Sequence, residues 1–230
     1  YESPFPAHAC SMNIQISSLT RTFGNTRVLD GVDLTIAAGE CVALVGRSGA
    51  GKSTLLHLLA GIDAPDAGHV RYDEVDLSAL DEDRRTAFRR QHLGLVFQSY
   101  NLVPSLSALD NLRLPLELNG MGARAARAEA AAMLERLDLA ELSGRYADQL
   151  SGGQQQRVAV ARALVHKPSV LLADEPTGSL DADNAAAVMR LLIGACRERG
   201  ASLVIATHAQ EVMGQADRLL RIEAGRLVDA

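Results

Sequence analysis

The most regular feature of the chain is a set of short, unbroken apolar runs bounded by turn signals: Cys41 to Val45, Leu93 to Phe97, Val170 to Ala173, Leu203 to Ala206 and Leu219 to Ile222. A strand covered on both faces has no polar side to show, so these runs predict strands of a buried parallel sheet. Between them lie segments of helical composition, Lys52 to Ala60, Ala123 to Leu137, Gln154 to Val165 and Ala182 to Arg199. Alternating strand and helix at both ends argues for an α/β core. Two stretches break the pattern. Asn13 to Val42 alternates apolar and polar positions around a Gly24-Asn25 turn, which predicts an N-terminal antiparallel β layer. Residues 99–165 offer helices and loops, opening with the turn-rich Ser99-Tyr100-Asn101-Leu102-Val103-Pro104, and predict an α-helical subdomain inserted into the core.

Composition narrows the classes. With 47% hydrophobic and 22% charged residues, the 230-residue chain has the balance of a globular domain, which excludes a disordered tail protein. A net charge of −5 supplies no global positive field for nucleic acid. Apolar runs such as Leu55 to Ala60 fall far short of the roughly 20 residues that a spanning helix needs. Cys10, Cys41 and Cys196 are widely spaced and odd in number, so they predict neither a disulfide framework nor a zinc site, and they suit a reducing cytosol. Residues 1–11 carry two prolines and no periodicity. They read as an artificial or flexible extension ahead of Met12, with 12–230 as a single domain.

The chemistry enters at Gly46-Arg47-Ser48-Gly49-Ala50-Gly51-Lys52-Ser53, followed by Thr54, directly after one predicted strand and directly before a predicted helix. That is the context in which a phosphate-binding loop works. Glycines let successive backbone N–H groups turn toward phosphate oxygens, the helix N-terminus adds its dipole, Lys52 reaches the β/γ-phosphates and the Ser53 hydroxyl suits magnesium. Val170-Leu171-Leu172-Ala173-Asp174-Glu175 ends a strand in two carboxylates, which an open parallel sheet would bring beside that loop. Asp174 then suits the magnesium shell and Glu175 the role of general base toward a water. Leu150-Ser151-Gly152-Gly153-Gln154 is a second glycine loop before a helix, and one nucleotide does not need two.

This pentapeptide resembles the signature motif of ATP-binding cassette (ABC) ATPases. Further landmarks follow in the order the family has them. Gln98 resembles the Q-loop glutamine, which reaches magnesium or the water; Ser179-Leu180-Asp181 resembles the D-loop; His208 resembles the switch histidine at the γ-phosphate; Phe23 resembles the aromatic that stacks on adenine. Singly, Gln98 would read as a surface amide, His208 as a capping or exposed histidine and Phe23 as a core aromatic. The resemblance spans Asn13 to Ala230. It implies a nucleotide-binding subunit that uses ATP and Mg2+, in a head-to-tail homodimer whose two sites are each completed by Ser151, Gly152, Gly153 and Gln154 of the opposing copy.

The resemblance also implies transmembrane permease subunits as partners, and a peripheral position on the cytoplasmic face of the inner or plasma membrane reached only through them. Tyr100, Leu102 and Leu106 are then candidate docking residues, with ordinary core packing as the alternative. Asp76 to Leu80, Arg89 to Gln98 and Asn101 to Leu106 are similar to the lipoprotein-releasing and macrolide-exporting (LolD-like and MacB-like) branch, which implies export, release or envelope remodelling. Gly153-Gln154-Gln155-Gln156-Arg157 is shared with amino-acid importers, which stay open as the alternative. A soluble ABC ATPase acting on nucleic acid or ribosomes would call for a tandem cassette, a long coiled-coil insert or a basic tract, and none is present. A small-molecule kinase would leave the second glycine loop without a purpose.

Overall fold

The computed structural model describes residues 11–178, 180–208 and 214–230. Two sheets share one interior. An antiparallel sheet has the order β2-β1-β4-β5, from β1 (Ile14–Phe23), β2 (Thr26–Ile36), β4 (Ala67–Tyr72) and β5 (Val75–Asp76). A six-stranded sheet has the order β10-β9-β3-β8-β7-β6, from β3 (Cys41–Val45), β6 (Leu93–Val96), β7 (Val170–Asp174), β8 (Ser202–Ala206), β9 (Arg218–Glu223) and β10 (Arg226–Asp229). All its pairings are parallel except β9 with β10.

The reason for the unbroken apolar runs is visible in where alternate residues go. Ala43, Leu171, Ala173, Leu203 and Ile205 face one hydrophobic cluster, shared with α3 (Ala108–Leu118), α4 (Ala123–Arg136), α5 (Gly152–Val165) and α6 (Ala182–Arg199). Val42, Leu44, Val170, Leu172, Val204 and Ala206 face a second cluster, built with the antiparallel sheet, α1 (Lys52–Leu59) and α2 (Glu82–His92). The central strands are therefore buried on both sides, and a period-2 signal is erased. Gly94 in β6 marks the tightest approach of helix to sheet: a Cβ there would lie 2.4 Å from Ala163 O, so only glycine lets α5 sit at this distance.

Helix α5 starts at Gly152, two residues before the start that composition predicts. The cause is a capping box. Ser151 Oγ accepts from Gln154 N–H (3.3 Å) and Gln154 Oε1 accepts from Ser151 N–H (2.9 Å), which draws both glycines into the first turn. Helix α2 carries no apolar stripe and is specified otherwise, by the Asp81 cap on Arg84 N–H (2.8 Å) and by Glu82 pairing with Arg85 (3.0 Å) and Arg89 (2.8 Å).

Candidate functional site

The first glycine loop joins β3 to α1, and its backbone is what sequence chemistry requires: Gly46, Gly49 and Gly51 all have positive φ. Gly51, at φ 105°, is the N-cap of α1 and supplies no side-chain cap, while its own missing Cβ would lie 2.9 Å from Val28 Cγ1. The amides at the start of α1 are thus left free of any side-chain acceptor and open onto a cleft of about 390 Å3. Val28, Ser48, Gly49, Gly51, Lys52, Ser53, Thr54, Gln98 and Glu175 line it. A second cavity of about 640 Å3 lies against the same loop, bounded by Gly46, Arg47, Ser48, Gly49, Ala50 and by Arg221 and Glu223 of β9.

Lys52 is 4% exposed. Its Nζ donates to Gly46 O (2.9 Å) and Arg47 O (3.3 Å), and lies 3.2 Å from His208 Nε2 and 3.9 Å from Glu175 Oε1. His208 Nε2 is in turn 3.2 Å from Glu175 Oε1. One ring nitrogen faces both an ammonium and a carboxylate, so it accepts from Lys52 when bare and donates to Glu175 when protonated. Three elements deliver these groups: α1, the end of β7 and the end of β8.

The adjacent carboxylates Asp174 and Glu175 diverge. Asp174 is the last residue of β7, whereas Glu175 takes a left-handed φ of 44° and donates its N–H to Ala206 O (2.8 Å). That twist aims Glu175 at the cleft. Asp174 lines a small void with Leu56 and His57 of α1 and with Leu172. Asp174 Oδ1 is buried without a hydrogen-bond partner. A carboxylate oxygen, like the Ser53 hydroxyl and the Gln98 amide oxygen that line the cleft, is the kind of donor a hard divalent cation takes.

Phe23 and the second glycine loop do not line the cleft. Phe23 sits 47% exposed at the tip of the β1–β2 hairpin, outside the core. Gly152 packs under Tyr100, whose hydroxyl lies 2.9 Å from where a Cβ would be, and Gly153 packs under the Asn184 amide (3.0 Å). That amide is held by Asp181, which accepts from Asn184 N–H (2.9 Å) and Nδ2 (2.7 Å) and caps α6; these bonds hold the Asp181 carboxyl below its usual range. Ser179 lies outside the described residues.

Sequence reasoning passes over Val28 and Gly178. A Cβ at Gly178 would lie 3.1 Å from Gln98 Nε2 and 3.4 Å from Glu175 Oε2, so this glycine lets two side chains from separate strand ends share one wall. Tyr100, Leu102 and Leu106 are half-buried, and Leu102 packs on the helical cluster. The open apolar surface lies beside them, in a groove of about 370 Å3 between Phe97, Leu114, Pro115 and Leu118, rimmed by Arg90 and Arg162. No helix among the described residues is long and apolar enough to cross a membrane.

Comparison with known proteins places this geometry. A family profile described as ABC transporter matches residues 29–178. The chain is 43% identical over 221 residues to the lipoprotein-releasing system ATP-binding protein LolD 1 of Rhodospirillum rubrum, covering 94% of this chain and 98% of that one. It is 44% identical over 219 residues to the macrolide export ATP-binding/permease protein MacB 1 of Aeromonas hydrophila, covering 94% of this chain and 34% of that larger protein. Among solved structures, the dimeric post-hydrolysis state of the ATP-binding cassette MJ0796 bound to ADP and Pi superposes with a TM-score of 0.87 at 36% identity, over 94% of this chain and 98% of the other.

Proposed function

The chain belongs to the ABC transporter family and is one of its ATP-binding, ATP-hydrolysing cassettes, and from that premise we propose that it drives a separate membrane subunit in export, lipoprotein release or envelope remodelling. The observation that carries the mechanism is the buried Lys52 ammonium, set between loop carbonyls, His208 and Glu175. Glu175 takes a proton from a water as the water oxygen bonds to the γ-phosphorus and the bond to the bridging oxygen breaks, giving ADP and phosphate. Lys52, the glycine-loop amides and His208 counter the negative charge on the γ-phosphoryl, and Gln98, on the wall it shares with Glu175, orients the water. Ser53, Asp174 and Gln98 would hold Mg2+, which neutralises phosphate charge when bound. Phe23 stacks on the adenine.

Ser151, Gly152, Gly153 and Gln154 lie outside the cleft of their own chain, which supports a head-to-tail homodimer in which each copy closes the other's site. ATP brings the two together and hydrolysis releases them. The membrane subunit docks in the groove beside Phe97 and Leu118, adjacent to Gln98, and through it the cassette sits on the cytoplasmic face of the inner or plasma membrane. Relatives whose names specify lipoprotein release and macrolide export support this branch over amino-acid import.

Light scattering of Glu175→Gln with and without MgATP tests the core of this reading. Doubling of the mass only with ATP is the expected result. A constant monomer mass, with ATP binding verified by calorimetry in the same sample, overturns the head-to-tail dimer.

A further inference from the structure

We propose that Arg21 is a positioning residue for the nucleotide base: held by Asp66, its guanidinium backs the ring of Phe23 and fixes that ring as a stacking platform. The inference rests on the reading of Phe23 as the adenine aromatic and adds what makes an exposed phenylalanine serve as one.

Arg21 and Phe23 are two residues apart in β1, the spacing that brings side chains to one side of a strand. The guanidinium carbon lies 4.7 Å from the ring centroid, inside the range of a cation–π contact. Arg21 is not loose there. Its Nη1 donates to Asp66 Oδ1 (3.0 Å), while Asp66 Oδ2 accepts from Thr22 N–H (2.6 Å) and Asp66 N–H donates to Thr20 O (2.9 Å). One residue, Asp66, thus ties both the Arg21 side chain and the backbone of residues 20 and 22 to the turn that enters β4. Arg21 Nε is buried without an oxygen partner, so the ring face is the compensation left to that side of the guanidinium.

The consequence is an asymmetric ring. The cation covers one face of Phe23, and the ring is still 47% exposed. Phe23 pairs with Thr26 across the hairpin, and Val28, two residues further on, lines the cleft and touches the glycine loop at Gly51. The hairpin that carries the ring therefore stands at the cleft's margin. A free aromatic at a hairpin tip would have to be ordered when the base arrives, at an entropic cost; a ring already clamped between its strand and a guanidinium has met that cost on folding.

The test is calorimetric titration of the wild type and of Arg21→Met, Arg21→Lys, Phe23→Ala and the Arg21→Met/Phe23→Ala double variant, each with MgATP and with magnesium tripolyphosphate, which has no base. Arg21→Met is expected to raise the Kd for ATP about 3- to 10-fold while leaving that for tripolyphosphate unchanged. Its KM should rise with kcat intact, Arg21→Lys should recover most of the loss, and Arg21→Met should add nothing in the Phe23→Ala background. Wild-type ATP affinity in Arg21→Met alongside weakened Phe23→Ala overturns the role of Arg21 alone. Equal weakening toward both ligands overturns it as well, since the damage would then be general. Unchanged ATP affinity in Phe23→Ala removes the reading of Phe23 itself, and the inference with it.

Discussion

Helices α1 and α5 both begin in a glycine loop, yet the two loops are built on opposite terms. At α1 the glycines take positive φ, Gly51 caps with no side chain, and a buried lysine follows at once. At α5, Gly152 and Gly153 have ordinary helical φ, and Ser151 with Gln154 satisfies two backbone N–H groups through the capping box. The first N-terminus is left open and walled by its own chain. The second is closed on itself and stands outside the cleft. A loop of the first kind is complete as a half-site in one molecule; a loop of the second kind offers a surface outside that cleft, which is what a site shared between two copies requires.

The largest effect expected on this contrast comes from Lys52→Ala, which removes the buried ammonium that follows the α1 loop. Phosphate release should fall by about 10²- to 10³-fold, because preorganised charge at the transferred group is lost. If turnover survives within a few-fold, the α1 loop is not where the phosphates are held. Next is Ser151→Arg. Each copy should still bind ATP through its own α1 loop, while ATP-driven mass doubling and turnover both disappear. Persistence of both would show that the α5 loop does not face a partner's nucleotide.

A paired substitution sharpens the comparison at lower cost to the protein. Gly51→Ala places a Cβ at φ 105° and 2.9 Å from Val28 Cγ1, with Val28 O at 3.2 Å, and should destabilise the fold by about 1–3 kcal/mol. Gly153→Ala sits in a helical first turn, where the nearest obstacle is the Asn184 side chain, and the helix gains from losing a glycine. Thermal unfolding should thus separate them: a clear drop in Tm for Gly51→Ala, and none for Gly153→Ala. A drop for Gly153→Ala as large as that for Gly51→Ala would mean that the two loops are constrained alike.

The contrast also explains which parts of the molecule could be read before folding was known. The α1 loop is contiguous, so the residues Gly46 to Thr54 declare their chemistry in one string, and α6 coincides with its predicted span from Ala182 to Arg199 because Asp181 and Gly200 mark both ends. Helix α2 was illegible because its burial rests on Ala87, Phe88 and His92 alone, with ion pairs supplying the rest. Strand β4 was missed for a related reason: Val70 and Tyr72 are its only buried residues, and Gly68 interrupts the alternation at a close crossing with Ser17 and Ser18. The wall formed by Gln98, Gly178 and Glu175 could not be foreseen, since it joins residues far apart in the chain. Nor could the turn of Glu175 into the cleft, which depends on one left-handed backbone angle.

The smallest effect is also the most discriminating. Ser151→Ala removes Oγ from the capping box and leaves Gln154 N–H without its acceptor, while the reciprocal bond from Ser151 N–H to Gln154 Oε1 can remain. Loss of an N-cap costs about 1 kcal/mol, which for a domain of this size lowers Tm by only about 2–4 °C. Binding of ATP to one chain should not change, because Ser151 lies outside the cleft that its own chain forms. If capping were the only task of this hydroxyl, ATP-driven dimerisation should weaken no more than the small stability loss demands. The shared-site reading expects more: an exposed hydroxyl at a helix N-terminus can turn from its own backbone to a partner's phosphate, so dimer affinity should fall by a larger factor than stability does. Measuring both on the same variant separates a serine that merely starts a helix from one that also closes the neighbouring site.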